Sequence, residues 1–237
     1  MPAQAQRSAR QALRVAALGL VALLVWELGA WDLAVTRWYG NAGGFAWRDA
    51  WWLRSGLHDG GRLLAWALLA LLAVDALRPL VAGPSRRERG YWLAVALACV
   101  LLVPAIKRFS TTSCPWDLQA FGGHAAYVPH WVLGLADGGP GHCFPSGHAV
   151  AAFGFLGGYF LWRPHRPRLA RAWLAGVLLA GALFGWAQLA RGAHFVSHTL
   201  WSAWLCWAVT VVAHWAQVWV LQSRALRSGA HGGLARP

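Results

Sequence analysis

Apolar residues come in long runs along this chain, and polar residues gather in the short stretches between them. Six runs approach the roughly 20 apolar residues that a membrane-crossing helix needs, at about 13–31, 63–82, 90–106, 147–162, 172–190 and 198–222. The third and fourth are short for a crossing and end in polar motifs. The breaks read "NAGG", "HDGGR", "RPLVAGPSRRERG", "DGGPGHCFPSG" and "RPHRPR", stretches of glycine, proline and charge that stop helices. The pattern predicts an all-α, polytopic membrane protein with six transmembrane helices. It divides into 1–89, two helices joined by a Trp-rich loop; 90–222, a four-helix core; and 223–237, a small polar tail expected to be disordered.

Composition agrees with the pattern. The chain is 58% hydrophobic and only 12% charged, outside the range of ordinary soluble domains. Its 18 tryptophans suit membrane–water interfaces, and Trp38, Trp47, Trp51 and Trp52 are expected to lie along one. The net charge of +13 comes from arginines placed between apolar runs. Topology signalling and anionic head groups explain it better than nucleic acid does. With the N-terminus inside, fourteen basic residues fall on inner segments and seven on outer ones, which predicts both termini in the cytoplasm. The first run looks like an uncleaved anchor, since no small-x-small cleavage site ends it. This layout brings the 107–146 loop and the 191–197 turn to the same outer side.

The chemistry-bearing residues gather there. Lys107, the chain's one lysine, ends the third run. In "CFPSGHAV", Ser146 suits a helix N-cap, Gly147 allows close approach to the backbone, and His148 sits in the first turn. Free N–H groups at such a terminus favour an anion. In "LARGAHFVSHTLW", Arg191, His194 and His198 share a face if the segment is helical and stay close if Gly192 breaks it. Two histidines four apart can hold a metal, but no acid lies in that stretch, so no metal site is expected. Of four cysteines, none forms a CxxC pair. Cys99 and Cys206 read as core residues, whereas Cys114 and Cys143 share a loop and can pair in an oxidising compartment. Cations, N–H donors and histidines on one face suit a phosphoryl group, with histidine as nucleophile and as general acid.

With these residues in view, the chain resembles the type 2 phosphatidic acid phosphatase family over about residues 90–215. That family carries Lys, six residues, Arg-Pro; then Pro-Ser-Gly-His; then Ser-Arg, five residues, His, three residues, Asp. The second motif is complete as Pro145-Ser146-Gly147-His148. In the first, Lys107 is followed by Cys114-Pro115, so a cysteine replaces the arginine. In the third, "GAHFVSH" aligns His194 with the nucleophile and puts His198 where aspartate is expected. The family arginine then falls at Gln188, with Arg191 as substitute. An alternative register keeps Arg191 as the motif arginine and makes His198 the nucleophile.

The resemblance implies a metal-independent, cofactor-free membrane lipid phosphatase. Lys107, Ser146, Gly147 and Arg191 would bind phosphate, His194 would attack, His148 would act as acid and His198 would orient His194. The implied partner is a phosphorylated lipid at the outer face of a cell membrane (the inner membrane in a bacterium). A lipid phosphotransferase with the same site, or a non-enzymatic lipid-binding or flipping protein, is the alternative. Arg108 and Asp117 are candidates for the missing arginine and carboxylate. His124, His130 and His142 read as solvated loop residues, Asp75 as an acid paired with Arg78, and His214 as a helix–helix hydrogen-bonding group.

Overall fold

The computed structural model describes residues 2–132 and 134–232. Helix α1 spans Pro2–Leu28 and α2 Trp31–Thr36. A two-residue hairpin follows, with β1 at Gly40–Asn41 and β2 at Gly44–Phe45. A π-helical turn, Trp52–Asp59, runs directly into α3, Gly60–Leu77. Next come α4 at Arg86–Lys107, α5 at Val150–Phe153, α6 at Gly158–Trp162, α7 at Pro167–Ala190 and α8 at Val196–Gly232. The all-helical expectation holds. Five helices among the described residues are long and apolar enough to cross a membrane: Gln4–Leu28, Trp52–Leu77, Arg86–Lys107, Pro167–Ala190 and Val196–Ser223.

The fourth expected span is the shortest and is interrupted. Residues 150–162 form two short apolar helices separated by a turn, below the length of the other five. The cause is local. The Trp173 indole donates to the Phe155 carbonyl at 2.8 Å, an oxygen that also accepts from the Gly158 N–H at 3.1 Å within the turn. The same ring lies 2.3 Å from where a Cβ on Gly158 would stand, so only glycine fits. The second span also shifts, because the π-helical turn extends it back to Trp52 and it ends at Leu77. Helix α8 continues to Gly232, into the segment expected to be a tail; residues 233–237 lie outside the described ones.

The core is built where α4, α5, α7 and α8 meet, around Cys99, Val103, Val150, Phe153, Leu156 and Cys206. Cys99 and Cys206 are free and buried, as their apolar context predicts. Helix α1 lies antiparallel along α8, held by a ladder of indoles. Trp204, Trp207 and Trp215 donate to the carbonyls of Ala16, Ala12 and Ala9. These tryptophans join two helices through hydrogen bonds to backbone carbonyls, a use the interfacial reading did not include. His214 contacts Ser8 Oγ at 3.3 Å, the helix–helix contact expected of it. Asp75 does not pair with Arg78. Helix α3 stops at Leu77 and Arg78 is extended, so the buried guanidinium of Arg89 on α4 takes the carboxylate instead. Arg89 also donates to the Pro84 carbonyl at 2.9 Å.

Candidate active site

The end of α7 sets the geometry. Gly192 adopts φ +74°, a left-handed conformation that glycine takes without strain. Its N–H bonds to the Leu189 carbonyl and that of Ala193 to the Gln188 carbonyl, the double bond of a Schellman turn. Arg191 therefore ends α7, His194 sits in the turn and His198 in the first turn of α8. They do not share one helical face, yet the turn keeps them together. His194 Nδ1 lies 3.4 Å from His198 Nδ1. Both rings are buried, at 5% and 1% exposure.

The Pro-Ser-Gly-His stretch is stitched to this turn. The Ser146 N–H donates to the His198 carbonyl at 3.1 Å, and the Ser202 hydroxyl bonds the Ser146 and His198 carbonyls at 2.9 Å each. Lys107, at the last turn of α4, reaches the same place. A Cβ added to Gly147 would lie 3.9 Å from its Nζ, so the open face of Gly147 is turned to the ammonium. Among the described residues Lys107 has no carboxylate partner. Arg191 is 8% exposed, and its Nε donates to the Arg48 carbonyl at 2.9 Å. Two buried polar atoms here have no hydrogen-bond partner among the described residues: Ser146 Oγ and His148 Nε2. Leaving such atoms unpaired costs roughly 1–3 kcal/mol each, and a polar group bound here would satisfy both.

The electrostatics favour neutral histidines. Burial, then the Lys107 ammonium and the neighbouring His198 and His148, hold His194 well below the usual imidazole range; the Cys143 backbone opposes this. Burial first, then the nearby His58, lowers His148 to about 4, while the Leu57 carbonyl pulls it back up. A neutral His194 keeps a lone pair for attack.

Cys114 and Cys143 form a disulfide, the pairing that an oxidising compartment allows. It ties the start of the Pro115–Asp117 turn to the residue just before Phe144-Pro145-Ser146. Cys143 Sγ lies 3.5 Å from His194 Nδ1 and 3.0 Å from the Ala193 carbonyl oxygen. A disulfide sulfur has no proton to donate, so these are packing contacts. The cysteine at the family's arginine position thus serves as a staple. The Cys143, His194 and His198 ligand atoms lie within 4.8 Å of one another, but a sulfur held in a disulfide offers no thiolate to a metal.

The two understudies named from sequence stand elsewhere. Asp117 accepts from the Cys114 N–H at 3.3 Å and caps its own turn, so it does not supply the missing carboxylate to His194. Arg108 is exposed at the C-cap of α4. Gln188, where the family arginine would fall, is buried with Nε2 unpaired. His124 and His142 are exposed loop residues, but His130 is not solvated. Its side chain is 8% exposed, 3.1 Å from Glu27 Oε1, although its Nε2 is not aligned for a hydrogen bond. The ring stacks on Phe144 at 3.9 Å and meets His198 edge-on at 6.0 Å.

Several supporting residues come from the first 60 positions, where sequence reasoning placed none. Asp32 accepts from the Ser197 N–H at 3.0 Å, from the Ser197 hydroxyl and from the Trp26 indole. It thereby caps the start of α8 from another helix and fixes the turn that carries His194. Glu27 accepts from the Trp201 indole at 2.8 Å. His58 stacks on His148. The available signal was the scarcity of acids: only eight occur in the chain, and two of them fall at positions 27 and 32, next to the end of an apolar run.

These features define a helical protein with helices fit to cross a membrane and a buried cluster of histidines, Lys107 and Arg191 at one end of its bundle. The chain matches the PAP2 superfamily model over residues 89–221 and belongs to that family. Membership supports a phosphatase-type, phosphoester-cleaving function. No curated protein and no solved structure matches the chain.

Proposed function

We propose that this chain is a membrane lipid phosphatase that works through a phosphohistidine. The observation that carries the reading is the pair of buried, unpartnered atoms, Ser146 Oγ and His148 Nε2, beside an ammonium without a carboxylate and a buried histidine pair. A phosphoryl group supplies what each lacks. Lys107 and Arg191 neutralise its oxygens, and Ser146 Oγ donates to one of them. His194 turns Nδ1 to His198, which leaves Nε2 to attack phosphorus. The P–O bond to the leaving group breaks as the N–P bond forms, and His148 gives its proton to the leaving oxygen. Water then attacks phosphorus, His148 takes a proton from it, and the N–P bond breaks to release inorganic phosphate. His198 accepts the Nδ1–H of His194 and stabilises the positive charge that develops on that ring.

A lipid substrate is supported by an apolar cavity of about 500 Å³ between α1, α5, α7 and α8, lined by Gly19, Ala22, Trp26, Phe153, Leu178 and Leu200 among others. Leu200 lies two residues beyond His198, about 3 Å along the helix axis but on a different face of α8, so the cavity runs beside the helix that carries the site rather than opening onto it. The arginine asymmetry, counted for six crossings, supports an outer-face site, on the side where a disulfide can form. The test is phosphate release from phosphatidate in detergent by the purified protein. Wild type releases phosphate with EDTA present, and His194→Ala does not. Near-normal release by His194→Ala, or loss of wild-type release in EDTA, would contradict the reading. A lipid alcohol added as acceptor separates hydrolysis from phosphotransfer.

A further inference from the structure

The π-helical turn Trp52–Asp59 lies outside the family-matched residues 89–221, yet it reaches the reacting end of the molecule. π-helical turns are rare and concentrate at functional sites. This one is anchored by Leu53, which is fully buried against Ala187 and Ala190 at the end of α7. That anchor sets the next turn over the Pro-Ser-Gly-His stretch. The His58 ring stacks on His148 with centroids 4.6 Å apart and planes 24° apart. Phe184 meets His148 from α7 at 5.0 Å. His58 is itself held by Asp59, whose Oδ1 lies 2.9 Å from its Nδ1.

We propose that His58 is a positioning residue of the active site, clamping the His148 ring so that its unpartnered Nε2 meets the leaving oxygen. The proposal rests on the reading of His148 as general acid. An acid free to rotate would spend much of its time misaligned, and small misplacements are expensive in rate. The arrangement has an electrostatic side as well. The His58 imidazole, facing the ring, works against a proton on His148. The other charged or titratable groups around His148 are Asp59 from the same turn, Arg191 from the end of α7, His194 from the following turn, and Lys107 from α4 beside Gly147. Of these, His58 is the one in ring contact.

Two substitutions separate position from charge. His58→Phe keeps a ring on His148 and removes the charge. His58→Ala removes both. Each is assayed on purified full-length protein in detergent with phosphatidate, alongside its thermal unfolding midpoint. His58→Ala is expected to lower kcat about tenfold with KM changed less than twofold. His58→Phe is expected to keep kcat within about threefold of wild type. The alkaline limb of its kcat/KM profile moves up by about 0.5 pH unit, because the acid loses a neighbour that opposes its proton. Wild-type kcat and an unmoved limb in both variants would overturn the proposal. So would parallel loss in both with a lowered unfolding midpoint and no limb shift, since that is a purely structural effect. His148→Ala is measured in parallel: activity surviving that change refutes the general-acid reading, whereas its loss beside unaffected His58 variants refutes only the clamp.

Discussion

Replacing His198 by phenylalanine isolates the contact that stands in for the family's aspartate. Phenylalanine fills the imidazole's space and can keep the edge-on contacts with Phe144, Phe195 and His130. It cannot accept the His194 Nδ1–H, which lies 3.4 Å from His198 Nδ1. Before attack His194 is neutral, and a neutral hydrogen bond of this kind contributes about 1 kcal/mol. As the N–P bond forms, the ring becomes cationic and the bond becomes charge-assisted, about 1.5–3 kcal/mol. Only the difference, roughly 0.5–2 kcal/mol, accelerates the chemical step. At about 1.4 kcal/mol per decade, kcat should fall roughly 2- to 30-fold with KM nearly unchanged. That is far less than the ~10⁴-fold cost measured where a buried carboxylate partner is neutralised. The assay is steady-state phosphate release from phosphatidate in detergent, with the unfolding midpoint measured beside it. Wild-type kcat in the variant would refute the orienting role. Loss as complete as in His194→Ala, with the fold intact, would favour the register in which His198 is the nucleophile.

Three further outcomes follow from the same geometry. Because burial and neighbouring cations lower His148 to about 4 and hold His194 well below its usual value, the acid form of His148 is present below about pH 4 and lost above it, while the nucleophile stays neutral. The kcat/KM profile should therefore rise as pH falls toward 4–5, whereas kcat should persist to higher pH because bound phosphate raises His148; a kcat/KM maximum above pH 7 would contradict this. Lys107→Met should cut kcat/KM about 100-fold, and Lys107→Arg should recover only part of it, because a planar fork does not replace a compact ammonium beside Gly147. Replacing Cys114 and Cys143 together by serine opens a closure of 29 residues in sequence and should cost about 3 kcal/mol of stability, read as a lowered unfolding midpoint with reduced activity.

The sequence made some of this legible and hid the rest for physical reasons. Apolar runs located the spanning helices because burial in a bilayer needs length and composition, both visible in one dimension. The turn inside the run at 147–162 was not legible, because Trp173, a residue outside the run, packs against Gly158 and donates to the Phe155 carbonyl there. Lys107, Ser146, Gly147, Arg191, His194 and His198 came together as the motifs implied, since the motifs sit at helix ends that short turns hold at one end of the bundle. Contacts between distant segments were not legible. Asp32 caps Ser197 across 165 positions, and His58 meets His148 from a stretch that reads as loop. Arg78 looked like the partner of Asp75 because it is three residues away, but the helix ends before it and Arg89 arrives from the next helix.

The central claim is that His194 carries the phosphoryl group. Purified protein mixed with phosphatidate labelled in its phosphate, quenched within milliseconds and kept alkaline, should yield protein-bound label that is stable to base, labile to acid and confined to the peptide containing His194. The label should form more slowly in His148→Ala, which lacks the acid for the leaving oxygen, and vanish in His194→Ala. Label on the His198 side chain, or phosphate release at wild-type rate with no acid-labile intermediate, would contradict the account.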